Sequence, residues 1–454
     1  MAGLKAKRLF PVLVVGILLG GTELEAQGGP TTIQFSFSNP GARSLGLAGA
    51  FAAIADDATA AFANPAGLTQ LTRPEVSIEG RYWSYSTPFT LSGRVHGEPT
   101  GMGLDGPIRT ATSEFEATSL SFLSFVYPGH NWTLAVSRHQ SAKFEASLQT
   151  QGLFTDDQLD DPQPRCLEGT DVCRYPDFQR RTEADITSTA LSFAYRLSDA
   201  FSLGIGFSYY QGSIRMENDL YLPLDETLPR GFFGPNAYLP DARYGSGLFG
   251  FDKGDWGLNL GLLWFPNRQW SIGSFFRQGG EFSGTGVEVS GPAFDPSIPA
   301  GTIGAEESGI PLKIPNVFGL GVAFRSKEGS WTGSFEWDRV AYSEILESIG
   351  NADLIGTETV LLDDANELRL GVEYAFRRWT PLLAVRGGVW SNPDHSIRSV
   401  EGDDPLELAL LPGGEDDVHF AVGLGVAFKD LQIDLAVDFS DLVDTAALSL
   451  IYQF

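Results

Sequence analysis

Basic side chains are scarce in this sequence. Its 454 residues include 31 Lys and Arg against 57 Asp and Glu, which gives a formal net charge of -26 at pH 7. Nucleic-acid binding depends on Lys and Arg side chains that replace the counterions of the phosphates, so the sequence argues against a nucleic-acid partner. The same imbalance argues against electrostatic docking on an anionic surface.

Long apolar runs are also scarce. The sequence contains one near its start, PVLVVGILLGG, which follows Lys5, Lys7 and Arg8 and precedes TELEAQ. This order predicts a secretory signal peptide over 1-26, cleaved near Ala26, with a buried N-terminal helix as the alternative. No later segment has the roughly 18 uninterrupted apolar residues of a membrane-spanning helix. An exported chain of this kind is expected to be either soluble or a β-barrel.

Cysteine is nearly absent. Cys166 and Cys173 bracket the short segment CLEGTDVC. In an oxidising compartment this spacing predicts a local disulfide; a metal pair is the poorer interpretation because no His lies nearby. The five His residues have no metal-ligand spacing, and the acidic runs, such as Glu415 to Asp417, are more typical of a solvated surface than of a Ca²⁺ site. We therefore expect no metal and no cofactor.

The sequence beyond Arg73 alternates apolar residues with small or polar ones. The segment FSLGIGFSYY, which starts at Phe201, places aromatic and aliphatic residues on one face and Ser and Gly on the other. The segment WGLNLGLLW, from Trp256 to Trp264, has a Trp at each end of an aliphatic band. A period of two predicts strands, and aromatic residues at strand ends are typical of the interfacial girdles of membrane barrels.

Connections between these segments alternate between tight turns and long polar loops. This rhythm favours an outer-membrane barrel over a soluble sandwich. We predict an all-β, transmembrane antiparallel barrel over 73-454 with fourteen strands, at 74-86, 115-127, 132-148, 183-197, 201-215, 251-265, 270-289, 314-326, 331-344, 366-376, 381-391, 417-428, 431-439 and 445-454.

The segment 27-72 does not fit the barrel wall. It contains FAAIADDATAAFANPAGLTQL, an Ala-rich stretch that is too polar and too helical to face lipid. A barrel of fourteen strands encloses a wide lumen. We therefore predict that 27-72 is a small helical hatch that plugs the lumen.

Three short runs give this segment a family resemblance: Gly46-Leu47-Ala48-Gly49-Ala50 after Gly41-Ala42-Arg43, then Ala55-Asp56-Asp57-Ala58-Thr59, then Asn64, Pro65, Ala66, Gly67 and Leu68. With barrel segments such as IPNVFGLGVAFRS, they resemble the FadL/TodX family of outer-membrane transporters for hydrophobic compounds. The resemblance implies capture of an apolar ligand by the extracellular loops, movement of the hatch around the Asn64–Leu68 run, and lateral exit through a gap near the third strand.

The sequence departs from that pattern in two ways. The predicted third strand, WTLAVSRHQSAKFEASLQT, contains no Gly or Pro to mark a kink. The resemblance also implies that fatty-acid transporters hold the carboxylate of the ligand with basic groups, and six residues could do so here: Arg138, Lys143, Arg277, Arg325, Arg369 and Arg386. A neutral hydrocarbon would need none of them.

One predicted loop is unusually apolar. It reads DLYLPLDETLPRGFFGPNAYLPDARYGSGLF and predicts either a ligand-capture groove or a loop that packs on itself over the barrel mouth. The groove would use Leu222, Leu224, Leu228, Phe232, Phe233 and Tyr238.

Uptake of hydrophobic small molecules, such as long-chain fatty acids or hydrocarbons, is the leading hypothesis for function. A hatch-bearing scaffold or shuttle for a secretion system is the alternative. A barrel enzyme is disfavoured: His139 is close in sequence to Ser137 and Ser141, but nothing selects these residues as a catalytic arrangement. We expect a monomer in the outer membrane, in contact with lipid and lipopolysaccharide, with Phe454 as the terminal signal for the barrel-assembly machinery.

Overall fold

The structure is a computed structural model that describes residues 39-156, 165-167, 169-221, 232-239, 243-290, 302-350, 360-399, 408-409, 411 and 413-454. The predicted signal peptide and the start of the predicted hatch lie outside these residues. The helices whose bounds lie within the described residues are α1 (Ala42–Leu45), α2 (Ala60–Ala63) and α3 (Ser343–Gly350), with a 3-10 helix at Pro65–Gln70.

Strands make up most of the described chain. They are β1 (Glu75–Arg94), β2 (Arg109–Pro128), β3 (Trp132–Gln149), β4 (Leu153–Thr155), β5 (Arg165–Cys166), β6 (Cys173–Arg174), β7 (Asp177–Ser198), β8 (Phe201–Tyr221), β9 (Arg243–Lys253), β10 (Trp256–Trp264), β11 (Trp270–Arg277), β12 (Glu281–Ser290), β13 (Thr302–Lys313), β14 (Val317–Arg325), β15 (Trp331–Val340), β16 (Val360–Leu361), β17 (Ala365–Phe376), β18 (Leu382–Asn392), β19 (Arg398–Ser399), β20 (Asp417–Ala427), β21 (Leu431–Phe439) and β22 (Val443–Gln453).

Fourteen of these strands form one closed antiparallel ring. Its order is β1, β2, β3, β7, β8, β10, β11, β14, β15, β17, β18, β20, β21 and β22, and β22 pairs back onto β1 from Glu75↔Gln453 to Tyr85↔Val443. Closure pairs the first strand of the wall with the last, so the ring has no terminal edge strand. The predicted fourteen-stranded all-β barrel is confirmed.

The outer surface of the ring carries the apolar faces of the strands. Large apolar side chains such as Phe207, Leu260, Leu370 and Leu424 are exposed there, while the polar partners that alternate with them point inward and are buried. Aromatic pairs mark the two borders of this band, for example Tyr209 with Trp256 and Trp270 with Phe324. This is the surface that a barrel presents to lipid, so the chain is a transmembrane β-barrel of the outer-membrane type.

Several strands continue beyond the predicted bounds at the end of the barrel that carries the long loops, called here the long-loop end. β1, β7 and β8 reach 20, 22 and 21 residues, and β9, β12 and β13 form a ladder that prolongs the wall. These extensions, such as TPFTLSGR at the end of β1 and DFQRRT at the start of β7, mix polar and apolar residues without the regular alternation that predicts a strand. The predicted strand 331-344 ends early, at Val340, and Ser343 instead begins α3.

No helix within the described residues is long and apolar enough to cross a membrane.

Candidate functional site

The lumen contains the segment from Asn39 to Leu71. Almost every residue of this hatch is buried, although its regular structure is limited to two four-residue helices and the 3-10 helix. Asn64 fixes the start of the 3-10 helix because its side-chain oxygen accepts from the Ala66 N–H at 3.1 Å and Pro65 occupies the first turn. The Asn64 amide nitrogen donates to the carbonyls of Ala52 in the hatch, at 2.8 Å, and Leu262 in β10, at 3.1 Å. The Asn64–Leu68 run thus ties the hatch to the wall.

Inward-facing glycines let the hatch backbone lie directly against the wall. A Cβ at Gly261 would stand 2.3 Å from Asn64 Oδ1, and one at Gly204 would stand 2.3 Å from Ala66 N. Gly273 and Gly371 make equally close approaches to the carbonyl oxygens of Ala52 and Leu47 in the hatch. In the sequence these glycines look like ordinary small residues of the polar face. Only the three-dimensional structure shows that they leave room for the hatch backbone to pack against the wall.

Ion pairs anchor the hatch at the end of the barrel opposite the long loops. This end carries the tight turns and is called here the short-turn end. Arg43 meets Glu373 of β17 through Nε–Oε2 at 3.0 Å and Nη2–Oε1 at 3.1 Å, and it also pairs with Asp56. Asp56 in turn pairs with Arg325 at 3.0 Å. Burial alone would lower the pKa of Arg43, but the carboxylates of Asp56 and Glu373 raise it above its usual value, so the anchor stays charged.

A polar vestibule of about 440 Å³ surrounds this anchor. Its lining includes Arg377, Arg386, Asp434 and Gln432 in addition to the anchor residues. Burial raises the pKa of Asp57, a hatch carboxyl that lines the same space. The short-turn end is therefore a charged, water-compatible mouth, which is a poor path for an apolar molecule.

Four of the six predicted lumen cations form ion pairs within the protein, and the other two, Arg138 and Arg277, donate to backbone carbonyls. Arg369 pairs with Asp338 and Glu367, Arg386 with Glu373 and Asp434, Arg325 with Asp56, Lys143 with Asp185, and Arg138 donates to the Leu120 carbonyl. Arg277 forms no ion pair with the described residues. Its guanidinium lies 3.7 Å above the centre of the Phe62 ring and donates to the Phe62 carbonyl at 3.1 Å.

A cavity of about 80 Å³ lies on the long-loop side of the hatch, with room for several water-sized groups. Hatch residues Leu45, Ala48 and Gly49 form its floor. Aromatic rings line much of its wall, namely Trp83, Tyr85, Tyr342, Trp390, His395 and His419. The polar lining includes Glu367, Arg369 and Asp438, all of them buried.

The wall has a window between β2 and β3. These strands pair only from Pro128↔Thr133 to Phe122↔His139; beyond that point β2 pairs with β1 alone and β3 with β7 alone. Pairing of Gly93 and Arg94 in β1 with β4 closes the window at its long-loop end. No Gly or Pro in β3 marks this feature. It coincides instead with a bulge in β3 between Gln140 and Ala142, which bends and twists a strand locally.

Few contacts bridge the window. Ser119 Oγ donates to Gln140 Oε1 at 3.0 Å near the border where the β2–β3 pairing ends. Ser147 N donates to Ser113 Oγ at 3.1 Å nearer the long-loop end. Phe144 of β3 is 2% exposed, lies in one buried cluster with Ala117 of β2, and packs edge-on against Tyr85 of β1 with ring centres 5.4 Å apart. Because Tyr85 also lines the cavity, these two rings lie between the cavity and the window.

The apolar loop is only partly described. Leu222, Leu224 and Leu228 lie outside the described residues. Phe232 and Phe233 are buried at 1% and 3% exposure in a cluster with Phe154 and Val172, and the Tyr238 hydroxyl donates to the Thr150 carbonyl. Phe232 and Phe233 therefore do not line an open groove in this structure. Cys166 and Cys173 form a disulfide in the neighbouring loop.

The candidate catalytic arrangement is not assembled. The His139 ring packs against Phe62 of the hatch, and Ser141 Oγ bonds to Ser188 Oγ at 3.5 Å. Within the ranges that the structure describes, no cluster of three or more His, Cys, Asp or Glu side chains could hold a metal ion.

Comparison with known proteins finds similarity at the level of structure. A FadL homologue from Pseudomonas aeruginosa superposes with a TM-score of 0.57 at 13% identity, over 94% of this chain and 100% of that one. The toluene transporter TodX from P. putida superposes with a TM-score of 0.54 at 15% identity, over 92% and 99%. No family model and no curated protein matches the sequence. The chain therefore has the FadL/TodX fold, an outer-membrane barrel with a hatch in its lumen.

Proposed function

We propose that this chain is a passive outer-membrane channel for the uptake of hydrophobic small molecules. Two structures with the same fold carry the names FadL homologue and toluene transporter. The observation that carries the proposal is the placement of the aromatic cavity beside a window in the wall, while the short-turn end is filled by the ion-paired hatch.

Lateral exit follows from the physics of the two routes. An apolar molecule that continued along the barrel axis would leave aromatic surroundings for a charged vestibule and lose its favourable burial. Exit through the window would deliver it to the bilayer, where burial of apolar surface contributes about 25 cal/mol per Å². In this proposal Phe144 is the side chain that moves, since it lies in the part of β3 that does not pair with β2 and it contacts the cavity residue Tyr85.

Capture by the extracellular loops and movement of the hatch remain parts of the proposal. Phe232 and Phe233 would have to leave their buried cluster to meet a ligand. The Asn64–Leu68 run would transmit any shift of the hatch, because Asn64 bonds to both the hatch and β10.

A reversible lock across the window tests the exit route. Ser147 N lies 3.1 Å from Ser113 Oγ, so Ser113→Cys with Ser147→Cys should place two sulfurs within bonding range. We expect cells that express the oxidised double variant to take up radiolabelled toluene at the rate of cells without the channel, and reductant to restore uptake. The two single-cysteine variants, treated identically, control for reduction of Cys166–Cys173.

The outcomes separate the parts of the proposal. Full uptake through the oxidised variant would contradict the window as the exit. If the folded wild-type chain binds no apolar ligand in native mass spectrometry and produces no uptake, the channel function itself is wrong, and the secretion scaffold becomes the better hypothesis.

A further inference from the structure

The aromatic cavity has an unusual balance of charge. Arg369 is the only Arg or Lys side chain in its lining among the described residues. Two carboxylates surround it, since Nε lies 3.0 Å from Asp338 Oδ2 and Nη2 pairs with Glu367. Its third nitrogen, Nη1, donates to the Ala48 carbonyl at 3.2 Å. Each of its three nitrogens therefore already has a partner within the protein, and two of the five N–H groups remain for other acceptors.

A second acidic pair surrounds His419. Its Nδ1 lies 2.6 Å from Asp438 Oδ1, and Trp390 Nε1 donates to the other oxygen of Asp438 at 2.9 Å. On the opposite side, Asp417 Oδ2 lies 3.7 Å from His419 Nε2. Neither of these two atoms has a hydrogen-bond partner in the described part of the chain, although both side chains are more than nine-tenths buried.

The sum of these groups is negative. Around the cavity stand four carboxylates, Asp338, Glu367, Asp417 and Asp438, against one guanidinium and one imidazole. Farther out, Arg277 stacks on Phe62, and the buried pair of Arg81, which donates to the carbonyl of the cavity residue Asn39, and Glu79 adds no net charge. The group therefore remains net negative even with a protonated His419.

Aromatic faces and excess negative charge are together the environment that suits an organic cation. The faces of Trp and Tyr rings attract a cation through the ring quadrupole, and the attraction strengthens where water is excluded. Arg369 already shows this geometry, with its guanidinium 4.2 Å from the centre of the Trp390 ring. The same carboxylates would repel an anionic ligand. The guanidinium of Arg369 offsets this repulsion little, because it is already paired with Asp338 and Glu367.

Resting on the function proposed above, we infer that the cavity is selective for hydrophobic organic cations, such as aromatic amines in their ammonium form, over uncharged ligands, and for both over carboxylates. Glu367 and Asp438, which line the cavity, would face the ammonium group, and the rings of Trp83, Tyr85 and Tyr342 would enclose the apolar part.

Three ligands of one shape and different charge test this inference. Benzylamine, benzyl alcohol and benzoate carry a cationic, a neutral and an anionic group on the same ring at pH 7. Isothermal titration of the full chain in detergent should give benzylamine an affinity about tenfold above that of benzyl alcohol, with benzoate the weakest.

Substitutions in the cavity locate the effect. Glu367→Gln and Asp417→Asn should each lower the ratio of benzylamine to benzyl alcohol affinity several-fold, because each removes one negative charge. Glu328→Gln is the matched control, since Glu328 lies exposed in the turn between β14 and β15, and its ratio should equal that of wild type. Circular dichroism of each variant establishes that the barrel is folded.

The inference and the proposed function fail in different ways. Benzylamine binding no tighter than benzyl alcohol overturns the inference and leaves the channel function standing. A preference for benzylamine that persists in both Glu367→Gln and Asp417→Asn places the cation elsewhere and also overturns it. Absence of binding by all three ligands and by toluene contradicts the proposed function itself.

Discussion

The ring of Phe62 in the hatch lies 4.1 Å, centre to centre, from the ring of His139 in the wall. His139 is the last residue of β3 that pairs with β2, where it lies opposite Phe122. The contact between Phe62 and His139 therefore lies at the border of the window where the β2–β3 pairing ends. The Arg277 guanidinium also lies 3.7 Å from the centre of the Phe62 ring, and Asn259 donates to the Phe62 carbonyl at 2.9 Å. The position of the hatch is thus linked directly to the point where the wall opens.

Truncation of Phe62 should loosen the end of the β2–β3 pairing. Phe62→Ala removes the ring that supports His139, and we expect the backbone amides of β3 near His139 to exchange hydrogen about tenfold faster, which corresponds to roughly 1.4 kcal/mol of lost local stability. Hydrogen-exchange mass spectrometry checks this. Ser271→Ala, which removes a different bond between wall and hatch, should leave these amides unchanged. Equal exchange in Phe62→Ala and wild type would contradict the link.

A methyl group at Gly261 should displace the hatch. The added Cβ would stand 2.3 Å from Asn64 Oδ1 and 2.8 Å from Ala66 N, and overpacking of this kind typically costs about 1–3 kcal/mol. We expect Gly261→Ala to raise single-channel conductance in planar bilayers because the plug no longer seats. Gly333→Ala is the control, since nothing lies within 4 Å of a Cβ there. Wild-type conductance in Gly261→Ala would show that the seat is not needed.

Lysine at position 43 should hold the hatch less firmly than Arg43 does. The guanidinium binds both oxygens of Glu373 and also reaches Asp56, whereas an ammonium group offers a single point of charge. We expect Arg43→Lys to destabilise the docked hatch by about 1–3 kcal/mol and Arg43→Gln by roughly 3–5 kcal/mol, because the latter leaves buried carboxylates less well paired. Hydrogen exchange of the 42-57 peptide measures both. The reverse order of the two variants would argue against a charge-based anchor.

Arg174 should hold the buried Phe232–Phe233 segment in place. Its Nη1 donates to the carbonyls of Phe232 and Gly234 at 2.6 and 2.7 Å, and its Nη2 pairs with Asp177 at 2.5 Å. We expect Arg174→Gln to speed chymotrypsin cleavage after Phe232 and Phe233 at least severalfold, since loss of one partner of a buried pair costs about 3–5 kcal/mol.

The control for that loop is Arg215→Gln. Arg215 forms an exposed pair with Glu217, and exposed pairs contribute only about 0–1 kcal/mol. Cleavage at equal rates in both variants would mean that Arg174 does not order the segment.

Local patterns along the chain were enough to predict the barrel. Alternation with period two marks strands wherever one face meets lipid and the other the lumen, as in FSLGIGFSYY, and this condition holds for all fourteen wall segments. It is weak at the long-loop end, and there the predicted bounds were short: β7 begins at Asp177 instead of 183, with DFQRRT, and β1 continues to Arg94 through TPFTLSGR. The Ala-rich segment predicted the hatch because its composition suits neither lipid nor a strand.

The sequence by itself determined that this chain is a closed barrel with a plug. A strand with lipid on one side and the lumen on the other alternates apolar and polar residues, and this alternation can be read from each short segment alone. Only the tertiary structure decided which of the six possible cations are paired, that the glycines seat the hatch, and that β2 and β3 part at Phe122 and His139. Each of these depends on residues that are distant in sequence, such as Asn64 with Gly261 or Arg43 with Glu373. The residues that flank a charged side chain or a glycine do not indicate which distant residue it contacts. These contacts form only when the barrel closes around the hatch.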